Sequence, residues 1–340
     1  MELDKPRRGA ALVVAGQGAA GLAAALAAAE RARETACPVE ITVVDRAPAG
    51  ETGGGTRFSP ANMRLADAQM TADEFEAILA ADPRYDRAYF RTLAREAWPA
   101  VEWLSGYGVV FEQIPYYLAA TPRYRPAGGG AALLAAMTQA ATKAGVRLVC
   151  DFDASAILRD AGGAITALTG CNAAGESRAF DADAVVLACG SFAGNGAALQ
   201  RHLGPGAENL RPISPGTAFN TGAGIAMAQA LGAVVSGDWS GMHSEPIDPR
   251  AHNPAAVVLL YPYGLLVDRA GRRFLDEGAG LVHETWEQVS RRIHFETPGG
   301  IAYAVFDAGL GEIADHCRAV RSEVAPVTAP SLAQLARLLE

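Results

Sequence analysis

The sequence predicts an α/β fold with a parallel sheet, and three features support that prediction. Residues 10–45 combine a buried strand, a glycine turn, an alanine-rich helix and a β-branched strand, which is the β-α-β unit of parallel sheets. Residues 184–190 form a further apolar strand that ends in glycine. After about residue 237 the chain changes to loops rich in His, Trp, Tyr and Pro, which indicates a second domain. We therefore expect one domain at 1–236 and another at 237–340.

The individual elements follow from apolar periodicity and from turn residues. We predict strands at 10–15, 39–44, 146–150, 156–158, 165–169 and 184–190. We predict helices at 22–33, 73–107, 131–144 and 331–339, with His283 and Glu284 on a further helix. Residues 50–55 and 116–125 are expected to be loops, and 172–175 a turn.

Composition excludes several classes of protein. The chain has 340 residues, a mass of 35.3 kDa, a formal net charge of -8 and a pI near 5.4. This acidity argues against sequence-independent nucleic-acid binding, although a local basic pocket for an anionic substrate remains compatible with it. Five scattered cysteines without a C-x-x-C pair disfavour an iron–sulfur or zinc site, so we expect no metal. Their odd number fits reduced thiols in a cytoplasmic protein.

The N-terminal apolar run allows a second interpretation. Arg7 and Arg8 precede an apolar stretch at 9–29, which also suits an export signal or a short membrane span. Three glycines at fixed spacing favour a buried strand and helix instead. No other segment is long and apolar enough to cross a bilayer, so we expect no integral membrane segment.

The first motif is Gly16-Gln-Gly18-Ala-Ala-Gly21. The first glycine permits a tight turn, the second allows a pyrophosphate to approach the backbone, and the third lets the helix pack on the sheet. The helix N-terminus then presents unpaired N–H groups to the phosphates. Asp45 ends the next strand, where a carboxylate can accept hydrogen bonds from an adenosine ribose. The pattern predicts a dinucleotide site; the alternative is a Gly/Ala-rich packing helix.

A second glycine motif distinguishes between dinucleotides. Gly53, Gly54, Gly55 and Thr56 follow the acidic strand end closely. A nicotinamide site does not need such a loop, whereas a flavin does, because bare backbone must approach both the pyrophosphate and the flavin ring. The motif therefore favours FAD over NAD, and the alternative is a flexible surface loop.

These motifs, with several downstream, resemble the FAD-binding flavoproteins of the succinate dehydrogenase and fumarate reductase group, and most closely the tricarballylate dehydrogenase-like branch. The resemblance covers nearly the whole chain. Besides the two glycine motifs it rests on Pro126-Ala-Gly-Gly-Gly130, Ala188-Cys-Gly-Ser-Phe-Ala-Gly-Asn195, Asn220-Thr-Gly-Ala-Gly224, Tyr261-Pro-Tyr-Gly264 and Gly271-Arg-Arg-Phe-Leu-Asp-Glu277.

The resemblance implies a Rossmann-like FAD-binding domain, with a parallel sheet flanked by helices plus antiparallel strands, and a smaller α+β cap domain that binds substrate. It adds further FAD contacts, namely Ala19, Ala20, Arg46, Ala154, Ala188 and Gly190. The loop where some relatives attach FAD covalently has no histidine, so we expect non-covalent FAD.

The sequence departs from the family pattern in three places. Ala223 stands where relatives have an acidic residue. Gly280, Leu281 and Val282 stand where fumarate reductases place an arginine proton donor, which argues against fumarate reduction by that route. Relatives also return to the FAD domain through a C-terminal Gly-Glu segment. This sequence ends at Glu340 inside a predicted helix, so we expect an incomplete flavin site.

Four residues of the predicted cap domain are candidates for chemistry. The resemblance places the substrate-binding histidine at His243, which can donate to a carboxylate or carry charge near neutral pH. Tyr261 and Tyr263 can supply a hydroxyl for proton transfer or can pack in a core. Arg273 is either catalytic or paired with Glu277.

We therefore predict an FAD-dependent dehydrogenase or reductase for a CH–CH bond of a carboxylated small molecule such as tricarballylate, with a separate electron-transfer partner. The alternatives are a non-catalytic FAD-binding fragment, a ketosteroid or corrin-precursor oxidoreductase, and an NAD-dependent enzyme. Metalloprotease, serine-hydrolase and P-loop motifs do not occur in the sequence.

Overall fold

The computed structural model describes residues 9–63, 65, 72–73, 76–77, 80, 86–115, 122–314 and 316–339. Arg7 and Arg8, and parts of the predicted helix 73–107 and the predicted loop 116–125, lie outside the described residues. The chain divides into two compact units. The described residues up to Asp238 form the first unit, and the described residues from Trp239 onward form the second.

The first unit contains nine described strands and six described α-helices. Its strands are β1 (Ala10–Ala15), β2 (Val39–Val44), β3 (Phe111–Ile114), β4 (Arg123–Pro126), β5 (Arg147–Val149), β6 (Asp153–Arg159), β7 (Ile165–Cys171), β8 (Ser177–Asp181) and β9 (Ala184–Leu187). Its helices are α1 (Ala19–Glu34), α2 (Gly54–Phe58), α3 (Arg87–Gly106), α4 (Gly129–Lys143), α5 (Gly196–Leu203) and α6 (Ala223–Ala230).

The parallel sheet has the order β5-β2-β1-β9, with every neighbouring pair parallel. Its central strands are short and apolar because helices and other strands bury them. Val14 and Val43 are fully buried with Leu22 and Leu26 of α1, and Met137 of α4 joins the same core. The sheet therefore brings the carboxyl ends of β1, β2 and β9 to one edge, where ligands bind in open α/β sheets.

Antiparallel strands complete the first unit. β6, β7 and β8 form one sheet, whose core includes Phe152, Leu168 and Phe180. The rings of Phe152 and Phe180 meet edge to face at 4.9 Å, a favoured aromatic geometry. The strand predicted at 156–158 is longer than expected, and β8 was not predicted, since only one of its five side chains is buried.

Two predicted loops need correction. Residues 123–125 of the predicted loop 116–125 belong to β4, which pairs with β3. Tyr124 stacks on Phe111 across this pair, with ring centroids 5.6 Å apart. This stacking stabilises a short strand that was not predicted, because the prolines of the segment indicated a loop. The predicted loop 50–55 ends in the first residues of α2, since Gly53 adopts φ 106 and caps that helix.

The second unit is built on one antiparallel pair and one long helix. β10 (Leu265–Val267) pairs with β11 (Tyr303–Val305), and the helices are α7 (Val282–Glu296) and α8 (Leu332–Leu339). Leu259, Leu260 and Tyr261 are buried in a core with Leu266 of β10 and Val289 of α7. No described helix of either unit is long and apolar enough to cross a membrane.

Candidate functional site

The first glycine motif forms the turn between β1 and α1. Gly16 has φ 111, and a β-carbon there would lie 2.2 Å from the carbonyl oxygen of Ala188. A β-carbon on Gly21 would lie 1.8 Å from the carbonyl oxygen of Gly16. Only glycine fits either position, because the opposing atoms belong to backbone. The turn therefore packs tightly against the end of β9.

The second glycine motif lies directly beside the first. The N–H of Ala19 donates to Oγ1 of Thr56 at 3.3 Å. A β-carbon on Gly18 would lie 3.5 Å from that same Oγ1 and 3.7 Å from the carbonyl oxygen of Gly53. The structure thus brings together two loops that are 37 residues apart in the chain.

The start of α1 is suited to an anion. Its N-cap, Gly18, makes no side-chain capping bond, and the first turn carries no acidic residue. Such a terminus presents N–H donors and the positive end of the helix dipole. Ala20, predicted as a cofactor contact, is exposed in this turn, and no described atom lies within 4 Å of a β-carbon built on Gly55.

Asp45 lies at the end of β2, next to the glycine turn. Its Oδ2 accepts the N–H of Gln17 at 2.7 Å, and its Oδ1 accepts the N–H of Ala47 at 2.9 Å. Each carboxylate oxygen can accept a second hydrogen bond. Asp45 can therefore orient the turn and still accept a ribose hydroxyl.

Arg46 connects three segments of the first unit through hydrogen bonds. Its Nε donates to Oδ1 of Asp153 at 3.0 Å, and its Nη1 donates to Oγ1 of Thr221 at 2.6 Å. A second hydrogen bond joins Nη2 to the same carboxylate. Ala154, the neighbouring predicted contact, is buried in β6 opposite Gly170. Much of the donor capacity of Arg46 is thus used within the protein, and its contact with FAD stays a prediction.

A third element, after β9, reaches the second glycine loop through Asn220. Gly190 has φ 74, and a β-carbon there would lie 2.7 Å from Oδ1 of Asn220. The same oxygen would lie 3.7 Å from a β-carbon on Gly54. Asn220 was not predicted as a site residue, although it lies in one of the family motifs; its nearness to Gly54 could not be read from sequence.

These residues fit the cofactor that the motifs imply. Bare glycine backbone and a helix N-terminus whose N-cap residue is glycine suit a pyrophosphate, which only accepts hydrogen bonds at its oxygens. The carboxylate of Asp45 suits a hydroxyl donor. The amide oxygen of Gln17 is also buried without a hydrogen-bond partner in the described part of the chain, as expected of a group that meets a ligand.

The predicted catalytic residues lie in the second unit. His243 has an exposed side chain (67%) and meets Trp286 of α7 edge to face, with ring centroids 5.8 Å apart. Its Nε2 lies 4.0 Å from Oε1 of Glu245, whose side chain is largely buried.

The two tyrosines occupy different environments. Tyr261 is fully buried; its hydroxyl donates to the carbonyl oxygen of Val282 at 3.2 Å and lies 2.7 Å from Oγ1 of Thr285. Burial raises the pKa of Tyr261 to about 12, which makes the phenol a weak acid near neutral pH. Tyr263 is 43% exposed, so its hydroxyl is the more accessible of the two.

Arg273 pairs with Glu277 through two hydrogen bonds, Nε to Oε1 at 3.3 Å and Nη2 to Oε2. Oε1 of Glu277 also accepts the N–H of Leu266 in β10 at 2.7 Å. Burial raises the pKa of Glu277, but the hydrogen bonds from Arg273 and Leu266 outweigh it and lower the pKa overall. The pair therefore anchors β10 to the segment before α7.

Comparisons with known proteins identify the family of this chain and several relatives. A family model described as an FAD binding domain matches residues 11–323. NADH:fumarate oxidoreductase of Klebsiella pneumoniae is 25% identical over 311 residues, covering 87% of this chain and 32% of that protein. Vinyl phenol reductase of Lactiplantibacillus plantarum is 27% identical over 291 residues, covering 78% of this chain and 56% of that protein.

Among solved structures, 3-ketosteroid-Δ4-(5α)-dehydrogenase of Rhodococcus jostii RHA1 is similar, with a TM-score of 0.67 and 22% identity over 97% of this chain and 74% of that one. This likeness shows the fold alone. The chain spans about a third of the first curated relative and little more than half of the second.

The solved relative confirms the predicted α/β fold, and the family match confirms the predicted cofactor, FAD. The named relatives also support the prediction of an oxidoreductase. Because the family model matches most of the chain, this protein belongs to the FAD binding domain family.

Proposed function

We propose that this chain is the FAD-binding part of an oxidoreductase that acts on a CH–CH bond of a carboxylated small molecule. The observation that supports it most directly is the contact between the two glycine loops, made through Ala19 and Thr56. The first loop suits the pyrophosphate of any dinucleotide, and we take the second stretch of bare backbone beside it as the approach to the flavin ring. When bound, FAD exchanges a hydride with the substrate at its N5.

The first unit holds the cofactor without a covalent bond. The N-terminus of α1 binds the pyrophosphate through backbone N–H groups, and Asp45 accepts a hydroxyl of the adenosine ribose. Arg46 keeps the end of β2 attached to β6 through Asp153. These residues position the cofactor and carry no proton in the reaction.

The second unit supplies the carboxylate contact. His243 is exposed, so an N–H of its imidazole can donate a hydrogen bond to a substrate carboxylate. Arg273 is engaged by Glu277, which leaves His243 as the better candidate. The accessible hydroxyl of Tyr263 is the candidate for proton transfer at the substrate carbon.

The motifs that resemble the tricarballylate dehydrogenase-like branch favour a tricarballylate-like substrate. Oxidation of that substrate requires a separate electron-transfer partner. The scattered cysteines favour a cytoplasmic location. Steroid or corrin-precursor substrates on the same scaffold are competing proposals, because a fold does not determine a substrate.

The test is anaerobic reduction of the flavin. The protein is reconstituted with FAD and mixed with tricarballylate, other di- and tricarboxylates and a ketosteroid, and bleaching of the flavin absorbance is followed. We expect bleaching by a carboxylate, slowed about 10-fold or more at sub-saturating substrate in His243→Ala, because a charge-assisted hydrogen bond is lost. His252→Ala, an exposed histidine of the same unit, is the matched control.

Two results would contradict the proposal. Failure of the reconstituted protein to retain FAD would remove its basis. Bleaching by the ketosteroid alone, with His243→Ala equal to His252→Ala, would retain the flavin chemistry but reject the carboxylated substrate.

A further inference from the structure

Gln17 carries a buried side-chain amide in the turn between β1 and α1. The residue is 5% exposed, yet its Oε1 has no hydrogen-bond partner among the residues that the structure describes. Nearly all buried polar atoms in folded proteins are paired, because an unpaired one loses its hydrogen bond to water without replacement. Such an atom at a ligand site indicates a partner that the ligand provides.

The backbone around Gln17 is held firmly. The N–H of Gly16 donates to the carbonyl oxygen of Val44 at 2.8 Å, and the N–H of Gln17 donates to Oδ2 of Asp45 at 2.7 Å. On the other side Gly18 caps α1. Gln17 thus stands inside the dinucleotide turn, attached to the carboxylate at the end of β2.

The chemistry of FAD limits what can pair with this oxygen. An amide oxygen only accepts hydrogen bonds, and the pyrophosphate oxygens also only accept, so the two cannot pair. On the adenosine half the donors are the ribose hydroxyls and the adenine amino group. Asp45 is directly hydrogen-bonded to Gln17 and is itself the acceptor suited to a ribose hydroxyl.

We propose that the side-chain oxygen of Gln17 accepts a hydrogen bond from a hydroxyl of the adenosine ribose, beside Asp45. Gln17 is then a specificity residue that favours adenine dinucleotides over FMN, which lacks the adenosine. This inference deepens the proposed function and rests on FAD binding by the first unit. The glycine pattern leaves the second position open, so the motif alone assigns Gln17 no role.

The test uses a near-isosteric substitution and two pairs of ligands. Gln17→Met removes the amide while keeping the length of the side chain, and Gln200→Met makes the same change at an exposed position of α5. We expect Gln17→Met to weaken FAD binding about 5- to 10-fold, the effect of one lost hydrogen bond. FMN binding should change less than about 2-fold, and Gln200→Met should match the wild type for both ligands.

The unliganded protein provides an independent readout. Because the unpaired oxygen is removed, the melting temperature of unliganded Gln17→Met should equal or exceed that of the wild type.

Binding of ADP and of 2′,3′-dideoxy-ADP tests the contribution of the ribose hydroxyls. The wild type should prefer ADP, and Gln17→Met should show a smaller preference, since Asp45 remains.

The outcomes separate the two proposals. Absence of FAD binding by the wild type would reject the proposed function. Normal FAD binding by Gln17→Met, or an equal loss for FAD and FMN, would reject the role of Gln17 alone. If Gln17→Met does not fold, Gln17→Leu takes its place. Equal affinity of the wild type for ADP and dideoxy-ADP would by itself overturn the inference.

Discussion

Gly130→Ala tests how closely the second glycine loop packs on its supporting helix. Gly130 lies in the first turn of α4, and a β-carbon there would lie 1.8 Å from the carbonyl oxygen of Thr56 and 3.0 Å from that of Ser59. Both are backbone atoms, so no side chain can turn away. The N–H of Gly130 also donates to the carbonyl oxygen of Ser59 at 2.9 Å, and this hydrogen bond must lengthen when α2 and α4 separate.

The expected cost follows from three effects. Overpacking costs about 1–3 kcal/mol or more, and the weakened hydrogen bond about 1 kcal/mol. Alanine regains up to about 1 kcal/mol of helix propensity. The net loss is therefore about 1–4 kcal/mol of the free energy of unfolding, or about 2–16 °C in the melting temperature of the first unit. FAD affinity should fall as well, because Thr56 shifts.

The assays are denaturant unfolding of the unliganded protein and titration with FAD. Gly106→Ala is the matched control, since Gly106 ends α3, is exposed and has no described atom within 4 Å of the added β-carbon. It should be neutral or stabilising by about 0.4–1 kcal/mol. Unfolding free energies of the two variants within about 0.5 kcal/mol of each other, with equal FAD affinity, would refute the packing argument.

Two further predictions concern the second unit. A hydrogen bond from Arg250 lowers the pKa of Asp248 to about 2, below its unfolded value near 4, so this carboxylate stabilises the fold above about pH 4 and the contribution is lost as pH falls toward 2. Asp248→Asn should cost about 2 kcal/mol at pH 7 and flatten the stability profile over that range in acid unfolding; an unchanged profile would contradict this. Tyr261→Phe should cost about 1 kcal/mol through the lost hydrogen bond to Thr285, whereas Tyr263→Phe should leave the melting temperature unchanged. A lower flavin-bleaching rate for Tyr261→Phe under conditions where the variant is fully folded would instead indicate proton transfer by Tyr261.

Local patterns predicted part of the fold well. The β-α-β unit was expected from apolar runs and glycine spacing, and β1 and β2 have the predicted bounds, Ala10–Ala15 and Val39–Val44. In contrast, β3 and β8 were not predicted. They have four and five residues, and their side chains are mostly half-buried or exposed. Phe111 of β3 stacks on Tyr124 of β4, and β8 pairs with β7 after a short turn. Both strands therefore depend on cross-strand partners more than on an apolar pattern of their own.

The site residues also separate into those that local spacing predicted and those that it did not. Gly16, Gly18 and Asp45 were predicted as cofactor contacts from spacing, because a tight turn, a close backbone approach and an acid at a strand end are local requirements. Asn220 beside Gly190, and Asp153 on Arg46, were not, because each pair is formed by segments that meet only in the folded chain.

By itself, the sequence determined the β-α-β unit, the two glycine loops and the preference for FAD, since each depends on residues that are neighbours in the chain. Tertiary structure alone decided that the two loops touch through Thr56, that Tyr261 is buried while Tyr263 is accessible, and that the amide oxygen of Gln17 is left without a partner within the described residues. Burial and hydrogen-bond pairing depend on every segment that packs around an atom, and a local pattern does not contain that information.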